Sequence, residues 1–474
     1  MSTLVMKFGG TSVGSLEALR QAADIVKTQS RNWKSLVVVV SAMNGVTNTL
    51  LQCVQSVTQV DQPAYPRLID DLRTKHLDIV NHLITSPIDK NTQVEMIERF
   101  LNELDTICRS AQVLGEVTSR GIDTICSFGE RMNARVFSAL LSQMGIPSQP
   151  MDATELIVTD SNFQNAHPNM ETTRVKTKEI LSPLLEQGIV VVITGFIAAN
   201  EEGITTTLGR GGSDYTASIL GDALDADEVW TWTDVDGIMS ADPRIVPEAR
   251  VIPNLSFNEV GEMAYFGAKV LHPKTVRPIV ERNIPLWVKN TFNPTYPGTR
   301  ISQNPPSSPG KVTAITTIKD LSLITVAGRG MLGVPGIAAR TFSAVANRDT
   351  SVLMISQSSS EQSICFVIPT VASKDIIKSL EEELALELSR KDIDRVWSEE
   401  NMVILSVIGS GMRKTPGVSA RIFGALGRAG INVVAIAQGS SEYSISMVVA
   451  TEDADQAVRR IHQEVIENEK GSER

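Results

Sequence analysis

A lysine followed by two glycines is the first candidate for chemistry, in the run VMKFGGTSVGSLEAL at residues 5–19. The apolar residues before Lys7 predict a strand, and a lysine at its carboxyl end points into the crevice where open α/β sheets bind ligands. Gly9 and Gly10 would let the backbone approach an oxygen-rich group and would offer it N–H donors. A phosphate group suits this arrangement, but a tight strand–helix turn with a surface lysine would give the same pattern.

A second glycine-rich run, TTTLGRGGSDYTA at residues 205–217, combines an arginine with an acid. The planar fork of Arg210 suits a carboxylate or a phosphate. Ser213 and Asp214 follow at the start of a predicted helix, where Asp214 could contact a metal or other polar groups. A purely structural reason for this combination is harder to supply, so the run favours a binding site.

Two further runs place polar groups where they could contact a small molecule. SAMNGVTNTLL at residues 41–51 carries Ser41 and Thr47 after the second predicted strand, although most such residues are helix caps. SFGERMNARVF at residues 127–137 places Glu130 in a predicted turn before a helix. Its carboxylate could bind an ammonium group, but an acid stabilised by the helix dipole is the commoner explanation.

Acids and hydroxyls also follow a later predicted strand, in WTWTDVDGIMSADPR at residues 230–244. Thr233 and Asp234 at its end could contact ribose, adenine or Mg²⁺, although such clusters are common in plain turns. In the run FGAKVLHP, Lys269 lies in a helical pattern, where a solvated lysine is the simplest explanation.

Alternating strand and helix patterns must position these groups. Strands are predicted at LVMKF, SLVVVVSA, IVVVITGF, EVWTWTD and IPLWVKN, and the first four are near-continuous apolar runs typical of strands buried on both faces. Helices are predicted to open at Ser15 and Ser213, each with an acid in the first turn. The pattern predicts an α/β domain with a mostly parallel sheet, interrupted by a charged helical insertion at residues 61–115.

An internal repeat follows a proline-rich segment. Residues 323–368 and 404–449 align without a gap and share 19 of 46 residues. Each copy predicts a βαββα unit, and Gln357 and Gln438 occupy equivalent positions in the two copies. The predicted organisation is a catalytic domain at 1–292, a linker at 293–311 and two repeated domains at 312–395 and 396–470.

Composition limits the possible partners. The net charge of −10 without a basic block argues against nucleic acid or an anionic membrane as the main partner. The apolar runs are too short to span a bilayer and no secretory signal is visible, so we expect a cytoplasmic protein. Neither CxxC nor HxxxH spacing occurs, so no metal site made by protein side chains alone is predicted.

Together these runs resemble the aspartate kinases, within the amino-acid kinase family. The matching runs occur in family order and are followed by two units resembling ACT domains; they are KFGGTSV, VVSAMNGVT, SFGE, TLGRGGSDYTA, WTDVDGIMSADPR and FGAKVLHP. No homoserine dehydrogenase segment follows in the sequence, as in monofunctional forms. The resemblance implies ATP- and Mg²⁺-dependent phosphorylation of the β-carboxylate of L-aspartate, the first step towards lysine, threonine and methionine, with feedback by an end product.

The resemblance also implies residue roles. The phosphate-binding turn would comprise Lys7, Phe8, Gly9 and Gly10, and Lys7 and Asp214 would be catalytic. The aspartate-binding positions would be Ser41, Thr47, Glu130, Arg210 and Ser213. The nucleotide-binding positions would be Thr233, Asp234, Met239, Arg244 and Lys269, with Met239 replacing a tyrosine that many members have. The effector-binding positions would be Gln357 and Gln438.

Three questions stay open at this point. The substrate could instead be glutamate or acetylglutamate, as for other amino-acid kinases, or the chain could be a non-catalytic amino-acid sensor. Threonine is favoured over lysine as the effector, because the two glutamines resemble positions of threonine-sensitive members. ACT pairs usually associate, so we expect a homodimer or a tetramer.

Overall fold

The computed structural model describes residues 2–57, 64–268, 271–306, 311–332, 334–357, 362–412, 415–438 and 443–467. The chain divides into two compact units. The first comprises Met1–Ile238, Val251–Val260 and Leu271–Pro305, and the second comprises Met239–Arg250, Gly261–Val270 and Pro306–Arg474. Two short segments from the middle of the sequence therefore belong to the second unit.

Strands and helices alternate through the first part of the chain. The strands are β1 (Thr3–Phe8), β2 (Ser35–Val40), β3 (Ser148–Met151), β4 (Val158–Thr159), β5 (Val190–Thr194), β6 (Ile197–Asn200), β7 (Thr205–Thr207), β8 (Glu228–Thr233), β9 (Asn254–Ser256), β10 (Leu286–Asn290) and β11 (Thr299–Ser302). The helices are α1 (Leu16–Gln29), α2 (Val46–Ser56), α3 (Tyr65–Leu83), α4 (Pro87–Leu114), α5 (Ser119–Gln143), α6 (Met170–Glu186), α7 (Gly212–Ala223), α8 (Phe257–Tyr265) and α9 (Pro273–Glu281).

The first unit is built around an eight-stranded sheet in the order β3–β5–β2–β1–β8–β10–β11–β9. Neighbouring strands from β3 to β10 are parallel, and β11 runs antiparallel to β10. Every residue of β1, β2 and β5 is buried, as their apolar runs predict for strands covered on both faces. A smaller sheet has the order β4–β6–β7.

The predicted insertion is helical where the structure describes it. The helices α3 and α4 bury apolar side chains in the same core as β1 and β2, and these include Ile69, Leu72, Ile97, Leu101 and Leu104. The insertion is thus part of the main core, which explains its regular apolar spacing.

The two helices that were predicted to open with serine differ. Ser15 is the N-cap of α1, and its hydroxyl accepts a hydrogen bond from the Ala18 N–H at 3.1 Å. The helix α7 instead begins at Gly212, so the prediction that Ser213 opens it was wrong. Gly211 takes the N-cap position with φ 72°, a conformation that glycine adopts without strain.

The second unit contains the repeat. Its elements after residue 311 are β12 (Val312–Ala327), α10 (Ile337–Ala346), β13 (Met354–Gln357), β14 (Ser363–Pro369), α11 (Ser373–Glu383), α12 (Ala385–Arg390), β15 (Arg395–Gly409), α13 (Val418–Arg428), β16 (Ala435–Ala437), β17 (Ser444–Ala450) and α14 (Thr451–His462). Both copies follow the predicted βαββα order. They share one antiparallel sheet in the order β13–β14–β12–β15–β17–β16, so the predicted fold class is confirmed.

Residues 239–250 are folded into this second unit by contacts with its last helix. The Ser240 hydroxyl lies 2.9 Å from Nε2 of the buried His462, and the Ile245 carbonyl accepts a hydrogen bond from Arg459 at 2.8 Å. Val246 belongs to the same apolar cluster as the β15 and β17 side chains. Contacts distant in sequence therefore determine to which unit this segment belongs.

No helix in the part of the chain that the structure describes is both long enough and apolar enough to cross a membrane.

Gly298, between β10 and β11, should not tolerate a side chain. Its φ is +88°, and a methyl group there would overlap the Val288 carbonyl oxygen. We expect Gly298→Ala to lower the free energy of unfolding. The loss should be about 2 kcal/mol larger than for the same substitution at a positive-φ glycine with open space around it. Denaturant unfolding of Gly298→Ala and of a control variant measures the difference.

The matched control is Gly145→Ala, because Gly145 has φ +80° and nothing within 4 Å of the added methyl group. Equal losses in the two variants would show that the close approach at Gly298 contributes nothing.

Candidate active site

Five parallel strands end at one edge of the large sheet. In the order β5, β2, β1, β8 and β10, the last residues are Thr194, Val40, Phe8, Thr233 and Asn290. In the same order, these strands are followed by Gly195, Ser41, the Gly9–Gly10 turn, Asp234 and Thr291. The parallel pairing therefore gathers segments that are far apart in sequence at the edge where open α/β sheets bind ligands.

Lys7 is a cation at this edge, and it is mostly buried. Its Nζ lies 2.8 Å from Oδ1 of Asp214, which stands in the first turn of α7. The two side chains are 10% and 21% exposed, so the ion pair retains some access to solvent. This contact brings together Lys7 and Asp214, two candidates that come from separate glycine-rich runs.

The glycine turn packs tightly against the segment after β2. The Asn44 N–H donates to the Gly10 carbonyl at 3.1 Å, and a methyl group on Gly14 would lie 2.7 Å from the Asn44 Cβ. Ser41 is half-buried in this segment, and Thr47 is the second residue of α2. The phosphate-binding candidates and two aspartate-binding candidates are thus in neighbouring, mutually fixed segments.

Glu130 lies within the long helix α5, so the predicted turn at this position was wrong. The helix continues through Gly129 because that glycine allows close packing: a methyl group there would lie 2.8 Å from the Ala42 Cβ. One Glu130 oxygen accepts a hydrogen bond from the Ala42 N–H at 3.1 Å. Among the described residues no partner donates to Oε2, although the side chain is buried. Burial raises the pKa of the Glu130 carboxyl to about 8.

Arg210 and Ser213 lie in the turn before α7 and in its first turn. Arg210 is exposed, and its side chain makes no hydrogen bond or ion pair within the described residues. Ser213 is buried against the end of β5, where a methyl group on Gly195 would lie 2.6 Å from the Ser213 Oγ. Arg210 is thus free to receive an anion, while Ser213 is fixed.

The nucleotide candidates fall into separate parts of the structure. The Thr233 hydroxyl donates to the exposed Asp234 carboxylate at 3.1 Å, and both follow β8 in the first unit. Met239 and Arg244 belong to the second unit, where the exposed Arg244 forms an ion pair with Asp242. Lys269 lies outside the described residues.

The effector candidates lie at β13 and just after β16, the two outer strands of the six-stranded sheet in the second unit. Gln357 ends β13 and lines a cavity of about 360 Å³ together with Met331 and Ile337. Gln438 follows β16 and is exposed. The Ser356 hydroxyl donates to the Ile436 carbonyl at 3.2 Å, so the two glutamine-bearing segments are adjacent.

Two residues that sequence reasoning missed fix the segment after β2. Asn133, one turn after Glu130, donates to the Ser41 carbonyl at 2.6 Å. Lys75 on α3 donates to the Asn44 carbonyl, and burial lowers the pKa of this lysine. Neither residue lies in a glycine-rich run, so spacing alone offered no signal for them.

Within the described ranges, no group of three or more His, Cys, Asp or Glu side chains is arranged to hold a metal ion. Mg²⁺ commonly binds through phosphate oxygens, waters and only one or two carboxylates. The exposed Asp234 is a carboxylate that could serve a magnesium ion bound in that way.

Comparisons of the whole chain agree with the fold. The amino acid kinase family model matches residues 2–290, and an ACT domain model matches 324–384 and 405–465. Bifunctional aspartokinase/homoserine dehydrogenase 1 from Zea mays is 38% identical over 97% of this chain, but the chain spans only 50% of that protein. The chain thus spans about half the length of this and several other curated relatives.

Other relatives match over most of their length. Aspartokinase 2 from Arabidopsis thaliana is 33% identical over 98% of this chain and 85% of its own. E. coli aspartokinase III in complex with aspartate and ADP superposes with a TM-score of 0.78 at 33% identity, covering 98% of this chain and 100% of that one. The same enzyme in complex with lysine and aspartate gives a TM-score of 0.79 at 34% identity, covering 98% of this chain and 99% of that one. The chain belongs to the amino acid kinase family, among its aspartokinases.

Proposed function

We propose that this protein transfers the γ-phosphoryl group of ATP to the β-carboxylate of L-aspartate, forming 4-phospho-L-aspartate. The proposal rests on the family, on E. coli aspartokinase III having been solved with aspartate and ADP, and on the grouping of Lys7, Glu130 and Asp214 in the first unit. The residue roles implied by the resemblance, including those of Thr233 and Arg244, are part of the proposal.

Glu130 is the observation that carries the choice of an amino acid as substrate. A buried carboxylate whose second oxygen lacks a hydrogen-bond donor is destabilised, and a bound cation or donor relieves that cost. The α-ammonium group of aspartate supplies both charge and hydrogen bonds. Arg210, exposed and without a partner among the described residues, would bind the α-carboxylate as a fork.

The reaction needs no general base in this site. The β-carboxylate is already ionised at neutral pH, so the barrier is the approach of one anion to another. Lys7, the Gly10 N–H and the start of α7 would place positive charge where the phosphoryl group is transferred. The Gly9 N–H already donates to the Trp232 carbonyl at 3.1 Å. Asp214 orients Lys7 through their ion pair. Mg²⁺ bound to the nucleotide, with Asp234 as a candidate ligand, would neutralise phosphate charge.

The test is an assay for aspartyl phosphate with ATP and Mg²⁺, run on aspartate, glutamate and acetylglutamate. We expect product from aspartate alone, and we expect Lys7→Ala to lower kcat by about 10²- to 10³-fold because the transferring group loses its cation. Comparing KM for ATP with kcat shows whether Lys7 mainly binds the nucleotide or stabilises the transition state.

Lys34→Ala is the matched control, since Lys34 is exposed and lies at the opposite end of the sheet, before β2. Product from glutamate and none from aspartate would overturn the substrate assignment. A wild-type protein that binds amino acids but forms no acyl phosphate would be a sensor instead.

Aspartate binding should depend on pH through Glu130. Its carboxyl has a raised pKa of about 8, so it is mostly protonated at neutral pH and must lose a proton to bind the ammonium group. We expect KM for aspartate to fall about 10-fold per pH unit as the pH rises towards 8, and to level off above it. Steady-state kinetics between about pH 6 and 9 measure this slope.

Glu130→Gln should remove the slope and raise KM for aspartate about 10- to 100-fold, because a charge-assisted hydrogen bond is lost. KM for ATP serves as the internal control. If wild type and Glu130→Gln show the same pH profile, Glu130 is not the group that binds the ammonium.

We further propose that an end-product amino acid binds the ACT pair and inhibits the reaction, with threonine favoured over lysine. Support comes from the adjacent Gln357 and Gln438 segments and from the cavity that Gln357 lines. E. coli aspartokinase III has been solved with lysine, so lysine is the second candidate.

Threonine should lower the rate, and Gln357→Ala or Gln438→Ala should raise its half-inhibitory concentration about 10-fold through the loss of one hydrogen bond. Dose–response curves with threonine and with lysine measure this. Gln456→Ala on the exposed face of α14 is the control. Absence of inhibition by either amino acid would exclude this regulation.

The proposed setting is the cytoplasm, at the first step towards lysine, threonine and methionine. We propose a homodimer or a tetramer associated through the ACT domains. In support, Ile355 on β13 and Ile436 on β16 expose apolar side chains.

A further inference from the structure

Asp123 is a buried carboxylate at the start of α5, with only 1% of its surface exposed. Its Oδ2 accepts hydrogen bonds from the N–H groups of Gln164 and Thr207, each at 2.9 Å, and its Oδ1 accepts one from the Thr207 hydroxyl at 2.8 Å. Burial raises the pKa of Asp123, and the three hydrogen bonds act in the opposite direction. A carboxylate buried this deeply needs all three donors.

Both segments that Asp123 contacts lie beside Arg210, one in sequence and the other through packing. Thr207 is the last residue of β7, three residues before Arg210. Gln164 has φ 68° and precedes Asn165, whose Oδ1 accepts a hydrogen bond from Lys274 at 2.7 Å. A methyl group on Gly209 would lie 3.0 Å from the same Asn165 oxygen. Asp123 therefore holds β7 and the Gln164–Asn165 loop together, and this loop packs against Gly209, the residue before Arg210.

The Arg210 side chain itself is not held in place. No hydrogen bond or ion pair fixes it within the described residues, so its position follows from the backbone of the turn. That backbone follows β7, which Asp123 fixes. A shift of the turn would move the guanidinium without breaking any contact of its own.

Asp123 and Glu130 lie on one face of the same helix, two turns apart. Glu130 is the proposed ligand of the ammonium group, and Arg210 is the proposed ligand of the α-carboxylate. A single helix would thus act on both ends of the amino-acid head group: directly through Glu130, and indirectly through the hydrogen bonds of Asp123 to Thr207, which precedes Arg210.

We propose that Asp123 is a positioning residue that sets the distance between Arg210 and Glu130, and so selects substrates that carry an α-carboxylate beside the α-ammonium group. The inference rests on the proposed function. Asp123 acts through the β7 backbone and touches no substrate.

The test compares aspartate with β-alanine, which is aspartate without its α-carboxylate. In Asp123→Ala we expect aspartate affinity to fall about 10- to 100-fold because Arg210 is misplaced. Affinity for β-alanine, measured as inhibition against aspartate, should change less than about twofold, since it makes no contact with Arg210. KM for ATP should not change.

A double-mutant cycle with Arg210→Ala separates positioning from general damage. Once Arg210 is removed, adding Asp123→Ala should cause little further loss of aspartate affinity. If Asp123→Ala does not fold, Thr207→Val is the alternative, because it removes only the hydroxyl donor to Asp123. It should lower aspartate affinity about threefold.

Asp222→Asn is the matched control. Asp222 is as deeply buried in the first unit but pairs with Arg174 and Arg282, away from β7. Equal losses for aspartate and β-alanine, or losses that add in the cycle, would overturn the inference. Wild-type protein that binds no aspartate would refute the proposed function itself. If the wild type binds aspartate but Asp123→Ala lowers the affinities for aspartate and β-alanine equally, only the role of Asp123 is refuted.

Discussion

Parallel pairing of β1 with β2 on one side and with β8 on the other places the candidate groups of the first unit. In this register Lys7 lies beside Val39 and Thr231, so the turns after the three strands leave the sheet at the same level. A slip of one residue would turn Lys7 to the opposite face and break its ion pair with Asp214. Packing on both faces opposes that slip, because every side chain of β1 and β2 is buried and would have to be repacked against the core on the opposite face. The chemistry therefore depends on a register that hydrophobic burial enforces.

Sequence patterns predicted those groups whose signal is local. Lys7 follows an apolar run, and Arg210 and Asp214 flank glycines, so strand ends and turns could be inferred there. The turn predicted at Glu130 was wrong, because the close packing of α5 against Ala42 lets the helix continue through Gly129 despite the low helix propensity of glycine. Asp123, Asn133 and Lys75 act through contacts with backbone groups distant in sequence, which no spacing can reveal.

The second unit shows the same limit at a larger scale. Its repeat was visible as aligned residues, and the βαββα order follows from the pattern within each copy. The assignment of residues 239–250 to this unit depends on the Ser240–His462 contact, which joins positions more than two hundred residues apart. The predicted catalytic domain at 1–292 includes this segment because it is continuous in sequence, whereas tertiary packing assigns it to the second unit.

The close contact between the glycine turn and Asn44 has a consequence for the order of events in catalysis. Because Gly10 and Asn44 share a backbone hydrogen bond and Gly14 leaves no room between them, the segments that carry the proposed phosphate-binding and aspartate-binding residues are held against each other. A ligand that ordered one of these segments would also order the other, so the first ligand to bind would meet most of the entropy cost of ordering. Under the proposed residue roles, either substrate could bind first, and the second would meet a site that the first has already ordered.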